Sequence, residues 1–143
     1  MTSTCVAHIC GPILITGCTD VVIIDAHVHA ICRTPHIAQR IADQLAGRQM
    51  DGPLSLDVVF RAPMPASRSK AIRAAGRWWK PTAPDLDKLV RSVGDSLTAS
   101  GLIKDDARIV ALRAMKWEVD GWTGATITVR EISNSEPFDG VIW

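Results

Sequence analysis

Residues 84–110, PDLDKLVRSVGDSLTASGLIKDDARIV, combine a predicted helix, an acidic connection and a predicted strand. Asp85 follows a proline and is a good N-cap residue, and Gly101 is a typical helix stop, so a helix is predicted over residues 85–100. After a short acidic connection, apolar side chains alternate over residues 109–117 and predict a strand. The helix carries one apolar stripe, the mark of a face packed against a sheet: Leu86, Leu89, Val90, Val93 and Leu97.

Across the rest of the chain, the same patterns predict an α/β (α+β) fold: one small domain with a mixed four-stranded sheet packed with two helices. The domain spans residues 20–132, between an irregular segment at 1–19 and a tail at 133–143. The last two strands are expected to pair as a hairpin around Asp120-Gly121. The remaining predicted elements are a strand over 21–31, a helix from Thr34 to Gly47, a strand over 54–61, a long irregular loop over 62–84, and a strand over 123–132.

The composition excludes several classes of protein. The chain has 143 residues, of which 47% are hydrophobic and 22% charged. This composition is typical of a globular protein and not of a disordered chain. It is too short for a TIM barrel, which needs about 250 residues. No apolar run reaches the roughly 18 residues of a membrane span, and the start lacks the basic opening of a secretory signal. We therefore expect a soluble, cytoplasmic protein without a membrane partner.

Positive charge is concentrated in the middle of the chain. Residues 61–91 hold eight Lys or Arg against two Asp, whereas the flanking segments are both net acidic. Such a block indicates a polyanionic partner, most commonly nucleic acid, although a solvated basic loop without a partner has the same composition. The candidate DNA-binding residues are Arg68, Lys70, Arg73, Arg77, Lys80 and Lys88.

All four cysteines and all four histidines lie within the first 36 residues. A structural zinc site would use such ligands, but it usually contains a tight Cys-x2-4-Cys pair, and no such pair occurs here. Free thiols in a reducing compartment explain the cysteines equally well. A zinc-stabilised interaction domain therefore stays open as an alternative.

Four aspartates flank the predicted helix, with Asp85 and Asp87 at its start and Asp105 and Asp106 beyond its end. Asp is common at caps and turns, so each residue also has a purely structural explanation. Together, however, the pieces Asp-Leu-Asp-Lys-Leu and Asp-Asp-Ala-Arg-Ile-Val resemble the RusA family of Holliday junction resolvases. From these two pieces the resemblance extends back through the strand at 54–61 and forward to the strand ending at Glu131. In all it covers roughly residues 36–132.

The resemblance implies a metal-dependent endonuclease that cuts branched DNA, such as a four-way junction, as a homodimer. It assigns metal-binding and catalytic roles to Asp85, Asp87 and Asp106. Where the family has a catalytic lysine, this chain has Arg91, which keeps the charge but is not easily deprotonated. A non-catalytic branched-DNA-binding module therefore remains the alternative. The implied cofactor is Mg²⁺, or Mn²⁺ in its place. A phage or prophage source is expected for a resolvase this small.

Elementary chemistry supports the same assignment. Mg²⁺ prefers oxygen ligands, lowers the pKa of bound water and stabilises the charge that develops when a phosphodiester is hydrolysed. Basic side chains in the 62–84 loop would bind phosphates, which predicts steep salt dependence. Trp78 and Trp79 either stack on unpaired bases or bury apolar area against the core or a second subunit.

Overall fold

The computed structural model describes residues 21–27, 38–39, 41–43, 45 and 47–133. The helices α1 (Lys70–Ala74) and α2 (Leu86–Ala99) are followed by a 3-10 helix over Asp106–Arg108. Further helical residues occur at 38–39 and 41–43, inside the predicted first helix. The strands are β1 (Val21–His27), β2 (Leu54–Pro63), β3 (Arg77–Trp79), β4 (Ile109–Val119) and β5 (Gly124–Glu131).

The five strands form one mixed sheet in the order β1-β5-β2-β4-β3. β2 and β4 are parallel, and the other three neighbouring pairs are antiparallel. The predicted class, a small α+β domain with a mixed sheet, is confirmed. The predicted number of four strands is wrong by one, because β3 lies inside the segment expected to be a loop.

The predicted hairpin between the last two strands is wrong. β4 and β5 do run in opposite directions, but β2 lies between them, and Val58 is paired with Ala114 on one side and Ile127 on the other. A turn signal such as Asp120-Gly121 fixes a reversal of the chain, not the neighbour that the next strand takes. β2 occupies the centre because one whole face of it is apolar: Leu54, Leu56, Val58 and Phe60 are all buried.

The prediction of an irregular loop over residues 62–84 is wrong in part. β2 continues to Pro63, α1 begins after Ser69, and β3 adds an edge strand through the pairing of Trp78 with Glu118. Ser69 caps α1 by accepting a hydrogen bond from the backbone N–H of Ile72. β3 is hard to recognise in the sequence because proline and basic residues surround it. Pairing with β4, which is distant along the chain, stabilises it.

The core lies between α2 and one face of the sheet. Leu89, Val93 and Leu97 of α2 are buried in one cluster with the apolar side chains of β2 and β5. The predicted stripe and the stop at Gly101 are confirmed, because Gly101 has a φ of 78°, which favours glycine. Leu86 and Val90 pack against the same cluster at its margin.

Several predictions fall outside the described residues: the segment 1–19 with its cysteines and histidine, the strand end at 28–31, the helix start at Thr34 and most of the tail from 134. Within the described residues, no helix is long and apolar enough to cross a membrane.

Candidate active site

The start of α2 supplies three of the predicted site residues. Asp85 is the N-cap residue, Asp87 lies in the first turn, and Arg91 follows one turn later. Residues four apart on a helix lie on the same face, so Asp87 and Arg91 project side by side. An anionic side chain in the first turn is also favoured by the helix dipole.

Asp105 and Asp106 meet different surroundings although they are adjacent. The carboxylate of Asp105 caps the 3-10 helix by accepting the backbone N–H of Ala107 at 2.8 Å. That hydrogen bond, assisted by one with the Asp106 side chain, holds the pKa of Asp105 below its usual value. Asp105 is therefore engaged as a cap, and Asp106 is the member of the pair that faces α2.

The 3-10 helix lies close to α2 at Gly94. A Cβ atom built on Gly94 would lie 3.7 Å from the Cβ of Asp106, which is ordinary van der Waals contact. Gly94 is buried and lies one turn beyond Arg91, near the face that carries Asp87. Arg108 anchors the other end of the 3-10 helix by donating a hydrogen bond to the backbone carbonyl of Asp51.

Asp87, Arg91 and Asp106 line one open cleft of about 560 Å³. All three side chains are exposed. The cleft thus brings together two carboxylates and one guanidinium. Asp87 and Arg91 come from the start of α2, and Asp106 comes from the 3-10 helix that precedes β4. The rest of its lining is apolar apart from the Gly94 backbone: Leu56, Leu86, Val90, Ile109, Leu112 and Ala114.

Asp85 does not line this cleft. Its carboxylate lies 2.7 Å from the ammonium of Lys88, one turn along α2, and both side chains are well exposed. It makes no side-chain hydrogen bond to the helix N-terminus. An exposed ion pair of this kind is weak and exchanges readily with solvent, so Asp85 can turn to another partner.

The donor set of the cleft suits a hard divalent cation. Among the described residues, no group of three or more His, Cys, Asp or Glu side chains could hold a metal ion. Mg²⁺, however, is usually held by one or two carboxylates together with waters and substrate phosphates. Asp87 and Asp106 meet that requirement, and Arg91 beside them can bind an anionic oxygen.

Two of the predicted DNA-binding residues are engaged within the protein. Arg68 forms a bidentate ion pair with Glu118, with nitrogen–oxygen distances of 2.7 and 2.9 Å. The Glu118 side chain is only 1% exposed and that of Arg68 is 29% exposed. The second is Lys88, which pairs with Asp85.

The other four predicted DNA-binding residues lie on the surface around α1 and β3. Lys70, Arg73 and Arg77 are exposed, and Lys80 is half-buried. The ammonium of Lys80 donates to Thr82 at 2.9 Å, and Arg73 donates to the backbone carbonyl of Ala66 at 3.4 Å. These contacts are local and leave the basic groups at the surface.

Lys116 is a positioning residue that sequence reasoning missed. Its ammonium donates hydrogen bonds of 2.7 and 2.6 Å to the backbone carbonyls of Thr82 and Pro84. It therefore holds the segment that leads directly into Asp85. A lone lysine within the apolar alternation of β4 was the available signal.

The chain matches one family model, Endodeoxyribonuclease RusA, over residues 34–130. No curated protein matches it significantly. The matched region ends within β5 and contains the whole cleft, both aspartate pairs and Arg91. With two thirds of its length matched, the chain belongs to the RusA family of endodeoxyribonucleases, the enzymes that resolve Holliday junctions.

Proposed function

We propose that this protein is a divalent-metal-dependent endonuclease that resolves four-way DNA junctions during recombination and repair. The observation that carries the proposal is the convergence of Asp87 and Asp106, which are 19 positions apart in the sequence, on one open cleft. Carboxylates brought together at an exposed cleft repel one another and a phosphate alike, so a cation is the natural third member.

Asp87 and Asp106 would hold the cation, and Asp85 would join them when DNA displaces Lys88. When bound, Mg²⁺ or Mn²⁺ supplies an acidified water and neutralises anionic oxygens. The cleft residues orient the scissile phosphate, and the Arg91 guanidinium binds one of its oxygens.

Arg91 provides a test of how the cleft uses a positive charge. Replacement with alanine is expected to reduce junction cleavage by about tenfold to a thousandfold, because a charge-assisted contact to the phosphate is lost. Replacement with lysine is expected to retain most activity, because charge is what the site needs. Steady-state cleavage of a labelled junction would measure both variants. A lysine variant as inactive as the alanine variant would show that guanidinium geometry, not charge, is required.

Lys70, Arg73, Arg77 and Lys80 form a basic patch that we propose binds the DNA backbone. Each phosphate contact releases counterions, so junction affinity should fall steeply with salt concentration. Along the chain, the patch lies between β2 and α2, the helix that begins after Asp85.

We also propose that two copies associate through the open edge of β4. β3 pairs with β4 only at Trp117–Val119, which leaves the preceding part of that edge without a strand partner among the described residues. Val110 is 65% exposed, an unusual state for a β-branched side chain on a strand. A two-fold pairing there would place two clefts near one another, as paired cuts in a four-way junction require.

The Val110→Lys variant tests the dimer. A lysine on an exposed strand edge opposes pairing with another strand, so we expect the variant to be monomeric at concentrations where the wild type is dimeric. Sedimentation or light scattering would measure the change, and Val119→Lys, beside the edge already covered by β3, serves as the comparison. A wild-type protein that is monomeric at every concentration would contradict the proposal.

A further inference from the structure

The sheet has a second face, opposite the one that packs against α2. In β2, Leu56, Val58 and Phe60 point into the core, so the alternate residues Asp57, Val59 and Arg61 point to the other face. Paired residues on neighbouring strands share a face. The pairing therefore extends this second face to Arg113, Met115 and Trp117 of β4, Arg77 and Trp79 of β3, and Thr126, Thr128 and Arg130 of β5.

Aromatic and guanidinium groups alternate along one edge of this face. The rings of Trp79 and Trp117 are stacked, with centroids 3.4 Å apart and planes inclined by 19°. The guanidinium carbon of Arg77 lies 5.0 Å from the Trp117 ring centre. Trp79 nevertheless remains 55% exposed, so this rigid stack still offers a large aromatic surface to solvent.

A second pair continues the pattern. The guanidinium of Arg61 lies 5.3 Å from the ring centre of Trp122 and donates a hydrogen bond of 2.8 Å to the hydroxyl of Thr126. Trp122 lies in the β4–β5 connection and is 37% exposed. Arg77 and Arg113 are exposed as well, and Asp57 is paired with Arg113 on the same face.

We propose that this Arg–Trp face binds a single-stranded DNA segment, with unpaired bases stacked on Trp79 and Trp122 and phosphates held by Arg77 and Arg113. Aromatic rings bind the faces of bases of any sequence, and arginines between them bind the backbone. The inference rests on the proposed function, because resolving a branched DNA exposes unpaired nucleotides near the branch point. It adds a binding surface on the opposite side of the sheet from the cleft.

A second copy of the chain is a poorer occupant of this face. A two-fold interface brings each patch against its own copy, so the arginines of one copy would lie against the arginines of the other. A polyanion with flat aromatic groups matches both features at once. The open edge of β4, by contrast, exposes the apolar side chain of Val110 and suits self-association.

The test compares two adjacent tryptophans. Trp78 and Trp79 are both exposed but point to opposite faces of β3, since Trp78 is paired with Glu118 and Trp79 with Trp117. Affinity for a labelled oligothymidylate is measured in EDTA, where no cleavage occurs. We expect Trp79→Ala to weaken binding about tenfold, the scale of one lost base stack, and Trp78→Ala to leave it nearly unchanged.

Arg113→Ala provides an independent variant, because Arg113 is exposed and forms no hydrogen bond or ion pair within the described part of the chain. It should lower the slope of log affinity against log salt by about 0.7, the value for one phosphate of a single strand. Equal effects of both tryptophan variants, an unchanged salt slope, or no oligothymidylate binding by the wild type would each overturn the inference. So would conversion of a dimer to a monomer by Trp79→Ala. Because binding is measured without metal, loss of junction cleavage alone would count against the proposed function and not against this surface.

Discussion

Replacement of Asp87 by asparagine is expected to abolish junction cleavage, with a loss of about two orders of magnitude or more. The carboxylate is one of two in the cleft, and the proposed cation would supply several kcal/mol of charge stabilisation there. Asparagine keeps the size and the N-terminal helix position but not the charge. Asp106→Asn should behave in the same way, since Asp106 faces the same cleft.

Binding should survive these substitutions. Removing a carboxylate from a site that approaches phosphates lowers repulsion, so junction affinity in EDTA should stay equal or rise. Asp95→Asn is the matched control, because Asp95 is an exposed aspartate on the same helix that does not line the cleft. Full activity of the Asp87 variant, or equal losses in the Asp95 variant, would refute the assignment of the site.

The second large effect concerns stability. Arg68→Met should lower the thermal unfolding midpoint on the order of 5–10 °C, because it leaves the buried carboxylate of Glu118 without its bidentate partner. Arg73→Met, in the same basic segment, should change it little, since Arg73 is exposed. Thermal unfolding followed by circular dichroism at neutral pH measures both variants. Equal midpoints would mean that Arg68 does not stabilise the fold.

The same pair predicts a pH dependence. The guanidinium of Arg68 holds the pKa of Glu118 below its usual value, mainly by hydrogen bonding and despite the burial that acts against it. The contribution of Glu118 is therefore complete above the ordinary glutamate pKa of about 4.3 and is lost as the pH falls through the lowered value. The stability gap between the wild type and Glu118→Gln should be wide at neutral pH and shrink in acid. A gap that widens in acid would contradict this coupling.

Local patterns predicted the elements of this fold, and distant pairing decided their arrangement. The apolar stripe of α2, its N-cap at Asp85 and its stop at Gly101 are all encoded within one stretch of chain, and each is confirmed. β3 escaped prediction because it is three residues long and depends on β4, some forty residues later. The position of β2 between β4 and β5 likewise depends on how the whole sheet buries its most apolar strand.

In the candidate site, too, local patterns placed some residues and long-range contacts placed the others. Helical spacing alone places Asp87 beside Arg91, but only the fold brings Asp106 to them across the contact at Gly94. The spacing also could not separate Asp105, which caps the 3-10 helix, from Asp106. Nor could composition distinguish Arg68, engaged by a buried glutamate, from the exposed basic residues around it.

Cleavage of a synthetic four-way junction by the purified protein would test the proposed metal-dependent resolvase activity. The substrate is compared with a linear duplex of the same sequence, in Mg²⁺, in Mn²⁺ and in EDTA. We predict paired nicks near the branch point that require the metal, that spare the duplex and that disappear in Asp87→Asn. Binding of the junction without nicks in either metal would contradict the account and would show a branched-DNA-binding protein in which Arg91 does not replace the lysine of the family.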